Sequence, residues 1–218
     1  QKSIRDVCDA NGAVYLNLPE YKTRHNARSH SFACQWVYKN VVKLSKVKKF
    51  GFIDHDLVPT KSFNPFDRLN GSSCYGSKRE GVFKNGAWQL WTGYAFFDLQ
   101  NDLVQDLDFL YDFANGLDAG GMNFWKIYRH INQNDATFSD QKLVRVETKY
   151  GDMTMEFFDD SWVHLGGAGY LNNFDERLVA FKEAIQILAI DGVNNPRVDL
   201  KDCESVSGYF GYFENNAD

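Results

Sequence analysis

Between Ser29 and Asp56 the chain changes period, and that change limits the folds open to it more than any other feature. Ser29 is placed to cap a helix over about Ser31–Leu44, in which Phe32, Cys34, Trp36, Val37 and Val41 offer an apolar stripe. A short basic turn, Lys46–Lys49, leads into an apolar strand, Phe50–Ile53, that breaks on Asp54-His55-Asp56. Upstream, the end of a helix over Ser3–Asp9 and a turn at Asn11-Gly12 precede an alternating run, Ala13–Leu18, that reads as a short strand. Strand, helix, strand in that order predicts an α/β domain built on a mostly parallel sheet flanked by helices. The polar cluster then falls just past the carboxyl end of a strand, where open α/β sheets bind their ligands.

Downstream, Gly71–Ser77 and Trp88–Leu99 read as strands, the second interrupted by Gly93. Gly120–Ile131 reads as a helix, and Leu143–Thr148 with Met153–Phe158 as a hairpin turning on Tyr150-Gly151-Asp152. Phe174–Ile190 carries Leu178, Phe181, Ile185 and Leu188 at helical spacing. Beyond about Asp191 the chain is polar and reads as a tail. With no internal repeat and no low-complexity linker, residues 1–218 are expected to form one domain.

Composition excludes several classes. A formal charge of −5 argues against a nucleic-acid partner, whose phosphates require a basic surface. The four cysteines, Cys8, Cys34, Cys74 and Cys203, lie far apart with no CxxC pair, which predicts free thiols in a reducing, cytoplasmic compartment. No apolar run reaches the roughly 18 residues expected of a membrane span. Aromatic residues make up 16% of the chain, enough to fill a core and leave some rings to stack on sugars or nucleobases.

Two carboxylates separated by one residue at a strand end can reach one hard cation, so Asp54 and Asp56 are candidate ligands for Mn2+ or Mg2+. Such an ion neutralises a diphosphate and stabilises it as a leaving group. His55 lies between them, but strict alternation would send its ring the other way. His30 opens a helix, where capping is the plainer role. His164, in Trp162-Val163-His164-Leu165-Gly166-Gly167, is a candidate metal ligand or a histidine hydrogen-bonded at a strand end. The glycines after it would let backbone amides approach a phosphate. Asp118, before Ala119-Gly120-Gly121, is a candidate general base for an acceptor hydroxyl or an ordinary helix cap. Trp88, Trp91 and Tyr94 could wall a sugar, or belong to the core. Asp106, Asp108, Asp159 and Asp160 read as solvated charges.

The stretch Ser29–Pro59, with its helix, strand and DxD in succession, resembles the GT-A class of glycosyltransferases, particularly family 2-like enzymes. Trp88–Asp98 is similar to the aromatic, glycine-bearing strand that lines their sugar pocket. Leu117-Asp118-Ala119-Gly120-Gly121 is similar to the acidic loop at the start of their acceptor-side helix. The resemblance covers roughly Ala13–Gly169, and the DxD is its sharp motif. It implies metal-dependent, inverting transfer of a sugar from a nucleotide-sugar donor to a glycan, lipid-linked or other hydroxyl acceptor. Asp54, Asp56 and His164 would hold the metal, Trp91 and Gly93 would line the donor site, and Asp118 would be the base. The family's first strand, which contacts the nucleotide base, has no clear counterpart here and is expected upstream of Gln1.

Two other readings remain. Asp54-x-Asp56-x-Val58 satisfies the nucleophile motif of haloacid-dehalogenase-type phosphatases, and Asp159-Asp160 mimics their late acidic pair. A strand and a long helix ahead of the motif oppose that reading. A non-catalytic carbohydrate-binding module would explain the aromatics but not the DxD.

Overall fold

The computed structural model describes residues 2–18, 26–132, 135–165, 174–191 and 198–202. Helix α1 (Lys2–Ala10) is followed by α2 (Asn26–Val37), which runs through a π-helical turn, Tyr38–Val42, into α3 (Lys43–Ser45). The helix stops where Lys46 takes a left-handed conformation, φ 56°. It begins a turn earlier than its apolar stripe indicates, so Ser29 lies within α2 and does not cap it, and His30 does not open it.

Two sheets follow. The first has the order β1-β4-β3-β5, from β1 (Lys49–Ile53), β3 (Cys74–Glu80), β4 (Trp88–Asp98) and β5 (Ala136–Phe138). The second has the order β2-β8-β7-β6-β9, from β2 (Leu57–Pro59), β6 (Gln141–Thr148), β7 (Gly151–Phe158), β8 (Trp162–His164) and β9 (Val198–Asp202). Helix α4 (Asn123–Lys126) is a single turn, and α5 (Phe174–Asp191) packs on the second sheet.

The mixed α/β class agrees with the sequence reading; the mostly parallel sheet does not. Among the described residues only β3 and β5 pair in parallel, and every other strand pair is antiparallel. The expected partner for a parallel β1 was Ala13–Leu18, which has no regular secondary structure, pairs with no strand among the described residues and leaves Val14 84% exposed. Its alternation therefore reports no buried face. β1 instead pairs with β4, which is inserted between strands running the opposite way: β1, β3 and β5 share one direction. The helix expected over Gly120–Ile131 shrinks to α4 and a 3-10 turn at Tyr128–His130, because Gly120 is left-handed (φ 86°) and Ile127 leaves the helical region. The polar segment after Asp191 is not simply a tail, since β9 extends the second sheet along β6.

Three apolar clusters order these elements into four layers. Tyr38 of the π-turn, Phe50, Phe97 and Phe109 fill the space between the α2 segment and the first sheet, with Phe50 stacked on Phe97 at 5.2 Å. Tyr75, Tyr94 and Phe96 of the first sheet meet Leu57 and Phe158 of the second. Val144, Val146, Met153, Met155 and Phe157 pack against Ala180, Phe181, Ala184, Ile187 and Leu188 of α5. Period-two alternation explains why β7 serves two layers: Met153, Met155 and Phe157 face α5, while Glu156 and Phe158 face the first sheet. Burying each large side chain contributes about 1.5–3 kcal/mol, so the sheet-to-sheet seam is held firmly. No helix among the described residues is long and apolar enough to cross a membrane.

Candidate functional site

β1 ends at Ile53, and the chain must reverse at once to enter β2. The reversal is made by Asp54, His55 and Asp56. Asp54 N donates to Gly93 O (2.9 Å), and Leu57 N donates to Asp54 O (3.2 Å) to close the turn. Because the strand has ended, alternation no longer governs His55, and its ring does not point away. His55 N donates to Asp54 Oδ1 (2.8 Å), and its Nδ1 lies 2.9 Å from the same oxygen. One ligand atom from each of Asp54, His55 and Asp56 falls within 4.8 Å of the others. Asp56 is the buried member, with a side chain 8% exposed.

Strand pairing carries His164 to this turn. Leu57 of β2 sits opposite His164 of β8, which sits opposite Glu156 of β7, and Leu165 N donates to Asp56 O at 3.1 Å. His164 Nε2 lies 3.2 Å from Asp56 Oδ1, and its Nδ1 lies 3.3 Å from Glu156 Oε2. The guanidinium of Arg79, on β3, approaches the Glu156 carboxylate at 2.5 Å, tying the two sheets together. A continuous chain, Asp56–His164–Glu156–Arg79, thus runs through the seam between the sheets.

Burial alone would depress the His164 pKa, but hydrogen bonds to Asp56 and Glu156 outweigh it and raise the value from 6.5 to about 9. Burial would raise Glu156, but His164 and Arg79 outweigh it and hold the carboxyl below its ordinary range. The signs fix a pH window for the metal-free protein. The contribution from His164 is complete below its ordinary value of 6.5 and is lost as pH rises through about 9. That of Glu156 is present above its ordinary value of 4.5 and is lost as pH falls through the lower folded value. We expect the melting temperature to fall between pH 6.5 and 9.5 by an amount corresponding to about 3 kcal/mol. In His164→Gln this alkaline loss should be largely absent. An equal alkaline loss in the variant would show that other groups cause it.

Trp91 completes this side. From Gly76↔Ala95 to Lys78↔Leu90, two residues of β3 span five of β4, so Trp91–Tyr94 bulge relative to β3, while Tyr94 stays paired with Ile53 of β1. A bulge re-aims side chains, and here it brings Trp91 into the same cluster as Tyr94 and Phe96. Its indole lies 4.5 Å from the His164 ring and beneath Arg79, at 5.3 Å. Gly93 permits this: a Cβ there would meet the indole at 2.1 Å. The interruption visible in the strand is therefore the space that Trp91 occupies. Trp88 and Tyr94 do not join this wall. Trp88 stacks on Tyr128 at 4.7 Å, and Tyr94 is fully buried.

Asp118 approaches from another direction. Ser31 Oγ donates to Phe109 O (2.7 Å) and Phe109 N donates to Gln35 Oε1 (2.8 Å), which fixes the segment feeding the Asp118 loop against α2. Asp118 caps no helix, since the residue preceding α4 is Met122. Its Oδ1 instead accepts from Ala119 N at 2.6 Å, within a turn closed by Gly121 N donating to Asp118 O (2.8 Å). The buried Cys34 thiol is pushed up to about 12, first by burial and then by the charges of Asp54 and Asp118. The charges of both carboxylates therefore reach one buried thiol.

The remaining candidates separate from this cluster. Asp159 Oδ2 accepts from the hydroxyls of Tyr75 and, at 2.8 Å, Tyr94, and its Oδ1 accepts from Asp140 N (3.1 Å). Asp160 pairs with Lys142 at 3.2 Å, and Asp108 with Lys126 at 2.9 Å. Gly166 and Gly167 lie outside the described residues, as does Cys203. Sequence reasoning missed Glu156 and Arg79. The available signal was a lone carboxylate inside the apolar run Met155-Glu156-Phe157-Phe158. Comparison with protein-family models, curated proteins and solved structures finds no match to this chain.

Proposed function

We propose that this chain is a GT-A-like glycosyltransferase catalytic domain that uses Mn2+ or Mg2+ to hold a nucleotide-sugar donor. The observation that carries the reading is the meeting of the Asp54-His55-Asp56 turn with His164 Nε2, 3.2 Å from Asp56. Oxygen and imidazole donors suit Mn2+ well, and the carboxylates alone suit Mg2+. Asp54, Asp56 and His164 would hold the ion, which would neutralise the donor diphosphate as it leaves. The co-directional β1, β3 and β5 fit a GT-A-like sheet, although the pairings around β4 are antiparallel.

The chain's own residues then have separate tasks. Trp91, held over Gly93 and against His164, would line the donor side of the site with the half-buried edge of its indole. Asp118 takes the proton from an acceptor hydroxyl as that oxygen attacks the anomeric carbon, giving inversion. The acceptor is a glycan, a lipid-linked hydroxyl or another alcohol. Nucleic acid is disfavoured by the charge of −5. The same reading assigns the domain to the cytoplasm, supported by free thiols at Cys8, Cys34 and Cys74.

The phosphatase alternative is weakened by Asp159, whose oxygens are engaged by Tyr75, Tyr94 and Asp140 rather than turned to a phosphate site. A thermal-shift panel of nucleoside diphosphates and nucleotide-sugars, with and without Mn2+, tests the proposal. At least one nucleotide should raise the melting temperature only when Mn2+ is present, since binding to the native state stabilises it by mass action. No shift across the panel, together with hydrolysis of a generic phosphate ester lost in Asp54→Asn, would favour the phosphatase.

A further inference from the structure

A histidine that serves a cation must present one ring nitrogen in the right tautomer and must not swing away when the ion is absent. A partner on the other nitrogen supplies both conditions. His164 has such a partner. Its Nε2 faces Asp56 at 3.2 Å, while its Nδ1 faces Glu156 at 3.3 Å. The two residues sit directly opposite each other on β8 and β7, so the backbone sets their spacing. Trp91 at 4.5 Å and Phe158 at 6.5 Å flank the ring and limit its swing.

Glu156 is itself constrained. Its side chain is 10% exposed, and an unpaired carboxylate at that depth would be costly. Arg79, 11% exposed, balances its charge from the other sheet at 2.5 Å. Both of its hydrogen bonds, with Arg79 and with His164, fall on Oε2, with Oε1 also 2.5 Å from Arg79, and Glu156 is not a member of the Asp54-His55-Asp56 cluster. A carboxylate that served only to neutralise Arg79 would not need to stand opposite the histidine that touches Asp56.

We infer that Glu156, clamped by Arg79, is a positioning residue that holds His164 with Nε2 directed at the Asp54–Asp56 turn. The inference rests on the metal-dependent reading above and assigns Glu156 a part in cation affinity beyond its ion pair. Arg79 acts one step further back, by holding the Glu156 carboxylate in place from the other sheet.

The test uses Mn2+ alone as probe, with affinity measured from the free-ion electron paramagnetic resonance signal. Asp56→Asn, His164→Ala and Glu156→Gln are compared with the wild type. Glu156→Gln keeps the shape of the side chain but not its charge, and should weaken Mn2+ binding about 10–100-fold. Pulsed resonance on bound Mn2+ should show a histidine-nitrogen coupling that His164→Ala removes and Glu156→Gln diminishes. Because Glu156→Gln leaves Arg79 buried without its partner, the double variant Arg79→Gln/Glu156→Gln is measured beside it and should show the same loss of affinity and coupling. A lower melting temperature with wild-type affinity and coupling in these variants would reduce Glu156 to a structural partner of Arg79 and overturn the inference. Unchanged Mn2+ affinity in folded Asp56→Asn would instead remove the cation site itself, and the inference with it.

Discussion

Asp56→Asn is expected to weaken Mn2+-dependent binding of a nucleoside diphosphate by at least about 100-fold, close to 3 kcal/mol, while the protein still melts cooperatively. The size follows from position. Asp56 is the buried carboxylate of the turn, and it is also the one that His164 touches. Its amide replacement removes a negative ligand and the charged partner of the imidazole together. The cores around α5 and around Phe50 and Phe97 do not include Asp56, so the fold should persist. Calorimetry with UDP and GDP in the presence of Mn2+ measures the loss. Wild-type affinity in a folded Asp56→Asn protein would dispose of the cation site.

Asp118→Asn should act on turnover rather than on binding. A positioned general base contributes roughly 100- to 10,000-fold, and an isosteric amide cannot accept the proton. We expect kcat to fall within that range while KM for the donor changes little, the pattern of an interaction made in the transition state. Release of nucleoside diphosphate, followed across a panel of uridine and guanosine diphosphate sugars with an alcohol acceptor, provides the rate. Because Asp118 and Asp54 both act on the Cys34 thiol, Mn2+ affinity should be measured in the same variant. Turnover equal to the wild type would exclude Asp118 as the base. A loss confined to Mn2+ affinity would move it to the metal's surroundings.

What was legible in the sequence was local. The apolar run of β1 breaking on Asp54 and Asp56, the β6–β7 hairpin and the stripe of α5 are each written in contiguous residues, because period and turn chemistry act over a few positions. Gly93 was visible as an interruption but not as the bed for the Trp91 indole, since its meaning depends on a bulge defined against β3. Ala13–Leu18 shows the converse: alternation is present, yet no partner strand among the described residues uses it.

The tertiary structure decided everything that depends on which strand meets which. Antiparallel pairing of β1 with β4 replaced the expected parallel neighbour, and the row Leu57–His164–Glu156 across β2, β8 and β7 brought a distant histidine against Asp56. No local period encodes such a row, because pairing partner and direction are set by burying two sheets against each other. Glu156 and Arg79 belong to that category. Arg79 reads in sequence as an ordinary surface charge and Glu156 only as a lone carboxylate in an apolar run, and it is the seam between the sheets that buries them, pairs them and turns His164 toward the carboxylates.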